Sequence, residues 1–241
     1  MSGQKRPTLM IARPCGWKLE SCETGMWISN LCIGLTRNRV VDSIVNHYTS
    51  GSRIAMGRNL QVKEAMQLGL SHLLFIDPDM LPDTYLESDP QATPVWDTFW
   101  SFMQANPGSI LAAPYCGPPP KEEVHVFSPD AAGDLKRVSR KQAAALHGWQ
   151  QVGGAGTGFM LIDMDVFKAL KNPYFHDVYT DETESKLRNS QDVDFSKKCW
   201  EAGIPMYVNF DCWCDHQQMV HIRRPGWVDP PPRPAPELIV R

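Results

Sequence analysis

Two aspartates stand two residues apart in Leu73-Leu74-Phe75-Ile76-Asp77-Pro78-Asp79, directly after an apolar run. Residues two apart in an extended chain face one side, so Asp77 and Asp79 can address one hard divalent cation, or divide between a cation and a nucleotide ribose. The competing reading is that both cap the turn begun by Pro78. A further carboxylate, Asp192 in Ser190-Gln191-Asp192-Val193-Asp194, stands where a helix opens. An anion is stabilised there and can accept a hydrogen bond from a substrate hydroxyl, although helix-start electrostatics alone also suits it.

His216 closes Cys212-Trp213-Cys214-Asp215-His216. One-residue spacings lack the Cys-x-x-Cys knuckle of structural zinc, so His216 reads better as one imidazole ligand to a metal otherwise held by carboxylates, with His221 as its competitor. The glycine run 153–158 precedes a strand, whereas a Rossmann loop follows one and a phosphate loop ends in Gly-Lys-Ser/Thr. Gly156, Thr157 and Gly158 therefore mark backbone that comes close to a ligand or to a packed neighbour. Arg58, beside Asn59, is either a partner for a diphosphate or a solvated surface arginine.

The elements that must position these residues follow from periodicity. Thr8 to Ala12, His72 to Ile76, Ser109 to Tyr115, Phe159 to Ile162 and Met206 to Phe210 are short apolar runs suited to strands buried on both faces. Ile54 to Leu68, Thr93 to Gln104 and Ser190 to Ala202 read as helices, the last capped by Ser190 and stopped by Gly203, and another helix opens near Asp163 and ends before Asn172-Pro173. Glu123 to Phe127 and Leu135 to Val138 alternate about a turn at 130–134, a hairpin signal. Cys15 to Thr36 shows weak periodicity and no element is assigned there. Strands alternating with helices, plus one hairpin, predict an α/β sandwich with a mixed, mainly parallel sheet. Residues 224–241 carry six prolines and predict an extended tail.

The whole chain of 241 residues, 42% hydrophobic and 21% charged, is long enough for one substantial core. A net charge of -3 excludes a globally basic polyphosphate binder. No run reaches the roughly 20 apolar residues of a membrane span, and a cytoplasmic protein is expected. The 7 scattered cysteines read as reduced thiols rather than a disulfide framework.

The order of these motifs resembles the GT-A class of nucleotide-sugar glycosyltransferases, most closely short single-domain members from bacteria and their phages. The resemblance runs from about Arg53 to His216 and rests on the Arg58-Asn59 helix, the strand ending in Asp77-Pro78-Asp79, Gly156-Thr157-Gly158-Phe159-Met160-Leu161-Ile162, the acidic helix start and the later histidine. It implies a Rossmann-like GT-A domain over 1–223, with a nucleotide-sugar half over about 1–115 and an acceptor half over 116–223. A divalent Mn or Mg ion would be held by Asp77, Asp79 and His216, with the second aspartate on the metal. A nucleotide-sugar, expected to be a UDP-sugar, would be bound by Arg58, Asp77, Asp79, Gly156, Thr157 and Gly158. Asp192 becomes the base or acceptor-binding residue; the class's usual Glu-Asp pair here reads Gln191-Asp192. The implied acceptor is a glycan or surface polymer, or a hydroxylated base of phage DNA. For the DNA acceptor, Lys136, Arg137, Arg140, Lys141, Arg223 and Arg224 are the candidate basic track. A nucleotidyltransferase and a non-catalytic sugar- or nucleotide-binding module are the competing functions.

Overall fold

A computed structural model describes residues 6–16, 20–118, 121–180 and 187–217. His221, Arg223, Arg224 and the proline-rich stretch lie outside the described residues. In chain order the elements are β1 (Thr8–Gly16), α1 (Cys22–Arg37), β2 (Ser43–Ser50), α2 (Ile54–Gln67), β3 (His72–Ile76), β4 (Met80–Leu81), α3 (Val95–Ala105), β5 (Ile110–Ala112), β6 (Val126–Pro129) and β7 (Leu135–Arg137). There follow α4 (Arg140–Ala143), β8 (Trp149–Val152), β9 (Gly154–Ala155), β10 (Phe159–Asp163), α5 (Asp165–Ala169), β11 (Val178–Tyr179), β12 (Leu187–Asn189), α6 (Gln191–Glu201), β13 (Met206–Asn209) and β14 (Asp215–His216).

The central sheet has seven strands in the order β2-β1-β3-β10-β5-β13-β8. Strands β1, β2, β3, β5 and β13 share one direction, while β10 and β8 run against them. Alternation along each strand sends side chains to two separate cores. Leu9, Ile11, Leu74, Ile76 and Leu161 meet Ile28, Leu31 and Leu35 of α1 and Trp96, Phe99 and Trp100 of α3. Met10, Ala12, Leu73, Phe75, Met160 and Ile162 meet Val62 and Ala65 of α2, Phe167 of α5 and Phe195 of α6. The sheet is thus covered on both faces, which is why its central strands read as unbroken apolar runs. The fold is the expected α/β Rossmann-like sandwich, and the hairpin forms as β6 paired antiparallel with β7.

Two helix starts differ from expectation. Asp163 is the last residue of β10 rather than an N-cap; its carboxylate accepts from Asp165 N at 2.9 Å and Gly108 N at 2.8 Å. Ser190 occupies the N-cap of α6 but its side chain makes no capping bond. The Asp177 carboxylate instead accepts from Gln191 N at 3.0 Å, satisfying one of the four orphan donors of the helix start. The region Cys15 to Thr36 contains α1, capped by Ser21 Oγ on Thr24 N. Its exposed Met26 and Ile33 blur the inner stripe of Thr24, Ile28, Leu31 and Leu35.

Candidate active site

Because β3 points its carboxyl end at the sheet edge where antiparallel β10 begins, Asp77 and the 156–158 turn meet there. Asp77 N donates to Gly158 O at 2.8 Å. The inner face of α2 supplies Arg58, only 1% exposed. Its Nη2 donates to Asp77 Oδ1 at 2.7 Å and its Nη1 to Asp192 Oδ1 at 3.0 Å. The guanidinium also lies over the rings of Phe75 and Phe175, at 5.7 and 6.0 Å. Arg58 is therefore an interior residue, and the surface reading of it does not hold. Burial raises the Asp77 carboxyl pKa, with Arg58 opposing the shift and the neighbouring Asp192 and Asp79 charges adding to it. For Arg58, burial acts to lower the pKa, but Asp77 and Asp192 together push it up, so the guanidinium stays charged.

Asp192 receives three bonds on one oxygen. Arg58 Nη1, Thr157 Oγ1 at 2.8 Å and Gln191 Nε2 all donate to Oδ1. Among the described residues no donor reaches Oδ2. One carboxylate oxygen is thus anchored in a fixed rotamer, and the other makes none of these bonds.

Asp79 and His216 form the adjoining pair, with Nε2 3.4 Å from Asp79 Oδ2. Their meeting depends on a two-residue strand pairing: His216 lies opposite Met80 and Asp215 opposite Leu81, and Gln217 N donates to Asp79 O at 2.7 Å. His216 Nδ1 lies 3.0 Å from Cys116 O, which can only accept, so Nδ1 carries the hydrogen. In the neutral ring, Nε2 then turns its lone pair toward a carboxylate oxygen. That arrangement suits a cation between the two, with the carbonyl orienting the imidazole from behind. Asp77, bonded to Arg58, belongs to the neighbouring network, and among the described residues no three His, Cys, Asp or Glu side chains are already gathered as a metal cage. Cys212 and Cys214 are buried in the apolar layer, the thiol of Cys212 raised by burial to about 11 and that of Cys214 well above its ordinary value. Protonated thiols in such a place are poor ligands, and the zinc reading finds no cluster.

The glycines of the run approach side chains. A Cβ on Gly156 would fall on the Tyr115 hydroxyl, 2.7 Å from Tyr115 Cζ and 2.9 Å from His125 Cβ; one on Gly158 would meet Tyr115 Cε1 at 2.9 Å and Met80 Cε at 3.0 Å. Tyr115 is the residue that sequence reasoning missed. It stacks on His125, with centroids 4.7 Å apart, and sets its ring edge-on to His216 at 5.5 Å. Burial first, then the Asp192 and Asp77 charges, raise its pKa well above the ordinary value, which keeps the hydroxyl protonated. Its place at the end of the Ser109 to Tyr115 run, at the edge that receives Asp77, was the available signal.

No family model and no curated protein matches the chain. Among solved structures, protein A197 from STIV is similar over 88% of this chain and 86% of its own, at 15% identity and a TM-score of 0.55, which shows the shared fold. GalNAc-T7 with UDP, GalNAc and Mn2+ aligns over 89% of this chain and 44% of its own, at 9% identity and a TM-score of 0.47. UDP-glucose pyrophosphorylase complexed with UDP-glucose aligns over 88% and 74%, at 10% identity and a TM-score of 0.42. The class defined is that of α/β Rossmann-like proteins with acidic side chains at the carboxyl edge of the sheet, where open α/β sheets bind ligands. Among the described residues no helix is long and apolar enough to cross a membrane.

Proposed function

We propose that the chain is a metal-dependent glycosyltransferase that moves a sugar from a nucleotide-sugar, a UDP-sugar, to an acceptor hydroxyl. The observation that carries this reading is the His216 imidazole, fixed by Cys116 O so that Nε2 faces Asp79 Oδ2. Asp79 and His216 would hold a divalent Mn or Mg ion, with Asp77 beside them toward the nucleotide. Such an ion, when bound, neutralises the diphosphate leaving group.

The chain's own residues supply the rest. Asp192 Oδ2 accepts the proton of the acceptor hydroxyl as its oxygen bonds to the anomeric carbon and the bond from that carbon to the diphosphate breaks. Arg58, Thr157 and Gln191 hold Oδ1 so that Oδ2 keeps its direction. Gly156 and Gly158 act here by admitting Tyr115, which walls the donor side. A glycan acceptor is favoured over a DNA base, since Lys136, Arg137 and Arg140 are paired with Asp130, Glu123 and Glu122. Paired cations make a weak phosphate track.

Calorimetry of UDP with and without Mn tests the assignment. Binding should require Mn and disappear in Asp79→Ala; equal affinity in the two proteins overturns it. Incubation with a panel of UDP-sugars should then release UDP, whereas pyrophosphate release from UTP and a sugar phosphate would indicate a nucleotidyltransferase. Nucleotide binding without any turnover would indicate a binding module.

A further inference from the structure

His125 stands beside the catalytic groups, and the transfer described above gives its side chain no part. It lies opposite Tyr115, to whose carbonyl its N–H donates at 3.0 Å, and its ring is stacked on the Tyr115 ring. A Cβ on Gly117 would come within 3.0 Å of Nε2, so that glycine leaves the space the imidazole fills. The ring is thus held at its face and at one edge. Asp192 and His216 are both close enough to act on its charge. Yet among the described residues neither ring nitrogen has a hydrogen-bond partner, and both are open to solvent. A polar edge held in a fixed orientation and left unmatched by the protein is one that a bound molecule can satisfy.

The same face carries the rest of a polar strip. Residues two apart in an extended chain share a face, so Glu123 and Phe127 flank His125. Arg137, paired across the hairpin with Phe127, lays its guanidinium over that ring at 5.4 Å and reaches back to the Glu123 carboxylate. The side chains of Arg137 and Glu123 are 36% and 48% exposed, so the pair is open to a ligand. Guanidinium and carboxylate cancel. Burial, then the Arg137 charge, lowers the His125 pKa and keeps the imidazole neutral at neutral pH. The strip therefore offers donors and acceptors with no net charge. Sugar hydroxyls, which both donate and accept, match it; a phosphate would find the cation already paired, and an alkyl chain would strip water from polar groups without replacing it.

We infer that His125, with the Glu123 and Arg137 pair beside it, forms the subsite that binds an uncharged sugar of the acceptor and presents its hydroxyl to Asp192. The inference rests on the glycosyltransferase reading and names the chemistry of its acceptor, a neutral glycan end, and the residues that select it. Support of Tyr115 is a separate task, which any flat ring at position 125 could perform without nitrogens.

The methyl β-glycosides of glucose, galactose and mannose are the probes, titrated in saturation-transfer NMR against the protein holding UDP and Mg. At least one should bind, and methyl β-glucuronide, which carries a carboxylate, should bind more weakly. His125→Phe keeps a ring on Tyr115 but has no nitrogen; it should weaken glycoside binding about tenfold, the worth of one or two hydrogen bonds, and leave UDP–Mg affinity and the urea midpoint unchanged. His125→Gln, which loses the ring but keeps a donor and an acceptor, should bind the glycoside more tightly than His125→Phe. Arg137→Gln tests the strip without touching the Tyr115 stack and should also weaken the glycoside. Lys136→Gln, whose side chain is paired with Asp130, should change nothing. No glycoside bound by a protein that binds UDP–Mg, tighter binding of the glucuronide, or indifference to both His125→Phe and Arg137→Gln overturns the inference while leaving the nucleotide result standing. Equal loss in His125→Phe and His125→Gln, with Arg137→Gln unaffected, also overturns it, in favour of packing alone. Absence of UDP–Mg binding is a separate readout: it sinks the glycosyltransferase reading, and the subsite with it.

Discussion

Asp192 and Arg58 are coupled so closely that substitutions at them separate catalysis from folding. Asp192→Asn keeps the shape and an Oδ1 acceptor but removes the charge that, on the proposed function, takes the proton. Transfer should fall about 100-fold or more while UDP–Mn affinity hardly changes, measured as kcat against Kd. A variant with near-full transfer would reduce Asp192 to a helix-start residue. Arg58→Met leaves two neighbouring carboxylates without their shared cation in the interior. Urea unfolding should show a loss of about 3–5 kcal/mol, the cost of breaking a buried ion pair from one side. A change under 1 kcal/mol would mean that water already reaches the pair.

At the level of elements, the turn that links β9 to β10 is as demanding as the residues it carries. Gly156 N donates to His125 O at 2.7 Å, and Tyr115 fills the space where a side chain would project. Gly156→Ala should therefore cost about 1–3 kcal/mol in a urea melt, because Tyr115 is packed on His125 and cannot swing away. It should also disturb the Tyr115 edge that faces His216, so Mn-dependent UDP binding weakens in the same variant. Unchanged stability would show that the ring moves freely. The pairing of β4 with β14 is the other decisive element, since two residues on each side bring His216 to Asp79.

Across the whole molecule, pH acts on the sheet through His72. This histidine of β3 lies edge-on to Trp100 at 5.1 Å, with Nδ1 2.8 Å from Ser71 Oγ. Burial lowers its pKa below the ordinary 6.5, opposed by the Asp163 and Asp165 charges. The unfolded chain therefore takes up a proton that the folded chain refuses. The stability present above pH 6.5 is lost as pH falls from 6.5 toward the folded value. His125, whose pKa burial also lowers, acts in the same direction. The urea midpoint should drop between pH 7 and pH 5, and His72→Gln should flatten that slope while leaving the His125 share. A slope identical to wild type would remove His72 from the account.

The strands buried on both faces, the helix over Ile54 to Gln67 and the hairpin were legible because local periodicity and turn chemistry are properties of neighbouring residues. For the same reason Asp77, Asp79 and Asp192 could be placed at element ends before any contact was known. Edge elements were less legible: β2, with the polar alternation Ser43-Ile44-Val45-Asn46-His47-Tyr48, and β8, with Gln150 and Gln151, carry weak signals because half of each strand faces away from the core. Partners were not legible at all. That Arg58 bridges Asp77 to Asp192, a carboxylate 134 residues beyond Arg58 itself, that Tyr115 occupies the gap over Gly156, and that His216 faces Asp79 were decided by the tertiary structure. Periodicity determines which face of an element is buried, but which charge waits on the other side is set only when distant elements pack. A buried charge tolerates only an arrangement in which its partner is already there.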